Sequence, residues 1–424
     1  MKLTPLTILL LCCLFSQFAE GQTVSLGGEF RINPVYSRGF REPLYEGDKP
    51  GLYTMQRTRF ILNYEKENDL RSEIIVQDRR FWGEESDRAD VAHMAVFRAW
   101  VEKSFTPELS LRLGRQGFIY DDQHLLGDPN WVGTRAHDAG LLKYEKEGLK
   151  AHLAFAYNAN GQELKRSVYE YNQYKNLQFL WLEKSFGPHA ITLTAINRGM
   201  ERGNMSSAYT QTFGPFARFK ISDRLSVKGM YYHQVGETED GKKVNASFYS
   251  GVLTFNASKN LQLVVGVDAG SGTDQADREN PDYDKSHSFD RLSGLLHGHF
   301  GYIDYFYVLN PTPYGVRDHY VKAKVNVTDR FSIDNHLHAF AATSDINNPN
   351  REGDVMPAQL GVENDILLTY RFSPAFKATL AHSIMFGTPT LDQVFGGQES
   401  VESQMFYAVI TASLDFFKST PDNR

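Results

Sequence analysis

Eight short reversals punctuate this chain, each flanked by stretches in which apolar and polar residues alternate. They read Lys66-Glu67-Asn68-Asp69, Phe105-Thr106-Pro107-Glu108, Lys146-Glu147-Gly148, Phe186-Gly187-Pro188-His189, Ser222-Asp223-Arg224, Ala257-Ser258-Lys259-Asn260, Thr328-Asp329-Arg330 and Ser373-Pro374-Ala375. Each is polar or carries Gly or Pro, which supply the backbone angles of a tight reversal. Roughly 35–45 residues separate successive reversals, with one interval near 70, enough for two strands of about ten residues and a longer polar loop. Tight turns at one end and long loops at the other predict an all-β fold: a single transmembrane antiparallel up-and-down β-barrel. Eight turns join sixteen strands, and one more on each side, the first around Val24 to Ile32, brings the expected total to about 18. A barrel of 16–18 strands is too wide for side chains to fill, so it encloses water or a plug.

The first residues read as a secretory signal over 1–21. Lys2 supplies the positive end, Ile8 to Phe15 the apolar core, and Ala19 and Gly21 the small residues of a cleavage region. Residues 22–424 are then expected to form one barrel, since no linker or shift in composition divides them. Both cysteines, Cys12 and Cys13, lie in the signal, which excludes disulfides and thiolate metal sites from the mature chain. Beyond the signal no run of 18 apolar residues offers a membrane helix. A net charge of −6 on an exported chain argues against a nucleic-acid partner. The 29 Phe and 22 Tyr suit the aromatic girdles of a barrel in outer-membrane lipid.

Period-two alternation assigns faces. In the last strand Phe406, Ala408, Ile410, Ala412, Leu414 and Phe416 are expected in lipid, with Tyr407, Val409, Thr411, Ser413 and Asp415 inside. Arg57, Arg59 and Asn63 oppose Phe60, Leu62 and Tyr64. Arg98, Trp100 and Glu102 oppose Phe97, Ala99 and Val101, while Arg71, Glu73, Gln77 and Arg79 oppose Ile74 and Val76. Lys322 and Lys324 oppose Val321, Val325 and Val327 less cleanly. A charge facing mid-bilayer lipid costs roughly 2–4 kcal/mol, so the arginines are expected inside. The long stretch from about Gly270 to Pro313, rich in Gly, Tyr and Phe between Phe289 and Phe306, is expected to fold into the barrel mouth.

Two blocks narrow the reading. Gly114-Arg115-Gln116 closes a strand; Asp121-Asp122-Gln123-His124-Leu125-Leu126-Gly127, Trp131 and His137-Asp138-Ala139-Gly140 come after it. Further on come Ser288-Phe289-Asp290, Gly298 and Gly301-Tyr302-Ile303-Asp304. Their order resembles the alginate-export family of outer-membrane porins. His124 stands where that family usually has Arg, and Leu142, with Lys143 beside it, stands near a strand position where the family often carries an inward Arg. The resemblance implies an eighteen-stranded barrel of the Gram-negative outer membrane whose narrow, Arg-rich lumen passes an anionic polysaccharide outward. Periplasmic export components are candidate partners on that reading. The aromatic-ended last strand resembles the signal read by barrel-assembly machinery, with Lys418 to Arg424 trailing it.

The residues support such a path physically. A uronic-acid polymer carries one carboxylate per sugar, and a wide pore selects it by lining the path with fixed cations. Arg stays charged and grips a carboxylate with two parallel hydrogen bonds. The candidates for the path are Arg57, Arg59, Arg98, Arg112 and Arg115, with Asp122 and Asp138 as partners and Glu73 as another carboxylate that holds arginines in place. The alternatives are a porin for uptake of small anionic or sugar-like solutes, and a non-conducting barrel that binds a ligand through its mouth.

No cofactor is expected, and no catalytic motif appears. Gly236 to Lys243 nearly spells a phosphate-binding loop but reads as an acidic hairpin loop, because Lys243 takes the Ser/Thr place and no helix comes after it. Asp274, Asp277, Asp282 and Asp284 lack the spacing of a calcium loop. His297 with His299, and His336 with His338, each share a strand face, but neither pair brings a third metal ligand by local spacing.

Overall fold

The structure, a computed structural model, describes residues 21–86, 93–128, 135–171, 173–295, 297–306 and 312–419. The signal segment before Gly21, Trp131 and the last five residues lie outside the described residues.

Each of the eight turns joins a hairpin. The hairpins are β2 (Gly51–Lys66) with β3 (Leu70–Phe81), β4 (Met94–Ser104) with β5 (Leu109–Gln116), β6 (His137–Lys146) with β7 (Leu149–Tyr157), and β8 (Asn176–Phe186) with β9 (His189–Glu201). They continue as β10 (Ser207–Lys220) with β11 (Leu225–Glu237), β12 (Lys243–Asn256) with β13 (Leu261–Gly270), β15 (Val316–Asn326) with β16 (Phe331–Ala342), and β17 (Gln359–Ser373) with β18 (Phe376–Gly387). A first strand, β1 (Gln22–Arg38), pairs on one side with β2 and on the other with the last, β19 (Ser403–Lys418), closing the cylinder. The result is a closed antiparallel barrel of eighteen strands. The two-residue β14 (Lys285–Ser286) is a rim addition, parallel to β12. No helix among the described residues is long and apolar enough to cross a membrane.

The outside is apolar because every second residue is. Leu193 and Leu380 are more than half exposed on the bare chain, and Phe406, Leu414 and Phe416 stand out beside them. Tyr407 and Thr411, one step along, are buried inside. Phe105, Phe186, Phe372 and Phe376 ring the turn end, and Tyr36, Trp82, Tyr157 and Tyr209 the loop end, where amphipathic rings suit the two lipid–water boundaries.

Three local readings change. The first strand runs to Arg38 rather than Ile32. Val321, Val325 and Val327 all face outward, so their alternation with Lys322 and Lys324 is regular after all. Phe97 is not in lipid: it is only 4% exposed. The β3–β4 ladder slips there, with Ile75 opposite Arg98 and Val76 opposite Val96, and the extra residue, Phe97, turns inward. A bulge adds one residue to one strand and reverses the facing of the residues beyond it.

Candidate functional site

The inner wall of β1 to β6 is cationic. In its first tier Arg57 reaches Glu29 across the β1–β2 ladder, with Nη2 to Oε1 at 2.6 Å and Nε at 3.0 Å. Arg31 and Arg59 lie close to the same carboxylate. Arg59 donates to a neutral partner, Gln77 Oε1, at 3.1 Å, and its guanidinium lies 4.5 Å from the centre of the Phe97 ring. The bulge that turned Phe97 inward thus builds a platform under this arginine. Arg98 covers the same ring at 5.0 Å and pairs with Asp128 at 2.6 Å, with Glu73 at 3.7 Å.

Nearer the turn end, Glu102 gathers three cations. It is buried, and accepts from Arg112 Nε at 2.7 Å, from Lys143 Nζ at 2.9 Å and from Arg71. Arg112 also lies flat over Trp100, 3.7 Å from the ring centre. One carboxylate shared among three cations, like Glu29 beside Arg31, Arg57 and Arg59, leaves the tier with surplus positive charge. Glu102→Gln is expected to cost about 3 kcal/mol, because it strands the buried Lys143 ammonium, Arg112 and Arg71 being more open to water. The check is a lower temperature for the gel-mobility shift that marks barrel unfolding.

Opposite this wall the bore is filled by two loops. The β5–β6 loop and the β13–β15 loop both fold inward and pair. Ser293 N donates to Leu125 O at 3.0 Å, Gly127 N to Ser293 O at 3.0 Å, and Leu295 N to Gln123 O at 2.7 Å. Gly294 permits the contact, since a Cβ there would meet His124 O at 2.2 Å. Phe289, Phe300, Ile303 and Phe306 are buried against inner-wall residues including Phe248, Val316 and Phe340. The loop stretch from Phe289 to Phe306 is therefore a plug in the bore, not merely a fold in the mouth.

Acidic side chains fasten the plug. Asp121 accepts from Trp181 Nε1 at 3.0 Å, Thr192 Oγ1 at 2.9 Å and Tyr232 OH at 3.1 Å. Glu363 on β17 accepts from the backbone N–H of Tyr302 at 2.5 Å and of Ile303 at 2.9 Å. Gly301, at φ +80°, brings the chain that close, for a Cβ would sit 2.5 Å from the Glu363 oxygens. Asp304 takes His297 Nδ1 at 2.8 Å, and Asp290 pairs with Arg198. The Asp121–Gly127 stretch of the first motif block and the Ser288–Asp304 block are thus the two halves of one plug, and their glycines and acids are its seating.

The path candidates now have places. Arg57, Arg59 and Arg98 form one cluster, and Arg112 a second around Glu102. Arg115 pairs with Asp138 at 2.7 Å near the rim, both well exposed. They share the outward face of β5 and β6 with Leu113 and Leu142, so the strand alternation turns this pair away from the lumen, where it was expected. Among the described residues Asp122 meets no arginine; it takes Lys228 Nζ of β11 at 3.0 Å, and so serves the plug rather than the wall. The path candidates read from the sequence leave out Arg31 and Glu29, and Lys143 is noted there only as the neighbour of Leu142. Alternation alone marks Lys143, since Leu142 beside it faces lipid and Lys143 supplies the inward cation that Leu142 lacks. His124 is no substitute for Arg: burial pushes its imidazole down to about 3, aided by nearby Arg291, so it is neutral.

A closed barrel, apolar outside and charged within, with loops folded into its bore, defines a porin-type barrel of the outer membrane. Residues 23–181, which carry the whole cationic wall and the first plug loop, match the family described as alginate export. The resemblance drawn from the first motif block is thereby found independently, while the second block, Ser288 to Asp304, lies outside the matched residues. Among solved structures, OccK10 (OpdN) of Pseudomonas aeruginosa matches with a TM-score of 0.60 at 12% identity, over 93% of this chain and 100% of that one. OccAB2 of Acinetobacter baumannii gives 0.60 at 13% identity over 93% and 98%, and OccK11 (OpdR) of P. aeruginosa 0.59 at 12% over 92% and 96%. At these identities the likeness is one of fold. No protein of curated function matches the chain.

Proposed function

We propose that this barrel is a channel for an anionic polysaccharide or oligosaccharide of the alginate type, which passes between the cationic wall and the plug. The observation that carries the reading is the sharing of Glu29 and Glu102 among several cations each, which leaves guanidinium charge for a permeant carboxylate. Arg59 is the clearest case, with a neutral amide and a phenyl ring as its partners. A weakly bound carboxylate hops along such a tier, since each contact is favourable yet replaceable. Export with a cleaved signal over 1–21, insertion by barrel-assembly machinery and contact with periplasmic export components belong to the same proposal.

Planar-bilayer recording of the purified barrel tests it. A small, anion-selective current that oligouronate blocks from one side is the expected result. An anion current indifferent to oligouronate replaces the reading with a porin for small anionic solutes, and no current from inserted protein replaces it with a ligand-binding barrel.

A further inference from the structure

We propose that His336, His338 and Asp365, on the inner wall of β16 and β17, form a site for a first-row divalent metal ion of the zinc class. His336 and His338 lie two residues apart on the inward face of β16. Asp365 stands opposite His336 in the β16–β17 ladder, so the third ligand comes from the neighbouring strand rather than from local spacing. One donor atom from each of the three lies within 4.8 Å of the others. His338 and Asp365 are 1% and 0% exposed.

The hydrogen bonding supports a ligand role. His338 Nδ1 lies 2.7 Å from Asp318 Oδ2, a carboxylate buried behind it. That contact places the ring proton on Nδ1 and leaves the Nε2 lone pair pointing the other way, the arrangement in which imidazole binds metal. Nε2 is buried without a hydrogen-bond partner, 3.9 Å from Asp365 Oδ2. Both Asp365 oxygens and His336 Nδ1 are likewise buried and make no well-formed hydrogen bond among the described residues, Ser383 and Glu363 being the polar side chains beside Asp365. Buried polar atoms are ordinarily paired, and each orphan costs free energy. A single cation satisfies all of these donors at once. Two imidazoles and a carboxylate suit zinc and its neighbours rather than calcium or magnesium, and leave a fourth position for water.

Two competing explanations are weaker. Lys322 lies near and offsets the negative charge of Asp318, Asp365 and Glu363. It makes no ion pair among the described residues, and its Nζ faces Gly298 O of the plug at 3.5 Å. His124, Asp268 and His299 form a second group of similar composition. There the two imidazoles overlap with centres 4.0 Å apart and planes 33° apart. Lone pairs lie in the ring plane, so overlapping rings do not converge on one ion.

The site also lies beside the plug's anchor. Glu363, which holds Tyr302 and Ile303, is the ladder partner of His338, and the Tyr302 ring stacks on His336 with centres 5.7 Å apart. Metal there would brace the strand pair on which the plug hangs.

The test uses the mature barrel in detergent, stripped with a chelator and dialysed against zinc, with cobalt as a spectroscopic probe. About one zinc per chain is expected, and cobalt should give the visible absorption of a low-coordinate nitrogen and oxygen site. Asp365→Asn and His336→Gln, both close in size to the native residues, should each weaken uptake at least tenfold. Asp318→Asn, which acts through His338, should weaken it about 10- to 100-fold. Heat-shifted gel mobility confirms that each variant is folded. Uptake unchanged in folded Asp365→Asn or His336→Gln overturns the site, as does uptake lost only in His299→Ala. Conductance and oligouronate block are read separately, so failure here leaves the transport reading standing.

Discussion

Serine at Arg59 and Arg98 removes most of the anion preference of the pore while the barrel remains folded. Both arginines sit on the Phe97 platform; Arg59 donates to a neutral amide, and Arg98 divides its charge between Asp128 of the β5–β6 loop and Glu73 of β3, while the strands themselves stay joined by their backbone ladders. A charge-assisted hydrogen bond contributes roughly 1.5–3 kcal/mol. Losing one such contact to a passing carboxylate changes its partition by about tenfold or more. The reversal potential across a salt gradient reads the effect directly. Arg115→Ser is the contrasting variant: its pair with Asp138 is open to water at the rim, where exposed ion pairs contribute about 0–1 kcal/mol, so its effect should be small. A reversal potential unmoved by the double substitution takes this tier out of the path.

Excising the plug widens the pore. Replacing residues 292–304 with a short Gly-Ser linker removes Phe300, Ile303 and the Glu363 anchor contacts together. Single-channel conductance is expected to rise several-fold, with loss of oligouronate block, because the polymer no longer passes close to the arginines. Glu363→Ala is the milder form. Two buried backbone N–H groups lose their acceptor, at about 1–3 kcal/mol each, and the plug should flicker rather than leave. Equal conductance in the excised and parent barrels would mean that the resistance lies elsewhere.

Much of this architecture is legible in the chain itself, and the reason is local. Turn chemistry at Gly187-Pro188 or Ser373-Pro374 needs only neighbouring residues, and the outward set from Phe406 to Phe416 repeats because lipid is met at every second position. What escaped was set by distant partners. Phe97 turned inward through a ladder slip against β3, which no alternation within β4 reveals. Asp122 chose Lys228 across the bore, and His336 with His338 found Asp365 on the next strand. The motif blocks announced themselves as unusual loops, yet that Leu126 would lie beside Ser293 in one plug depends on the closed barrel that holds them.

One placement bears on assembly. Ile303 O accepts from Arg41 N at 2.9 Å, just beyond the first strand, while Tyr305 touches Ser403 and Tyr302 faces Tyr407 on the last. The same short segment thus clasps both sides of the zipper that joins the beginning of the chain to its end. Damage to that clasp would emerge first as slow or faulty biogenesis of the barrel, and only later as altered permeation.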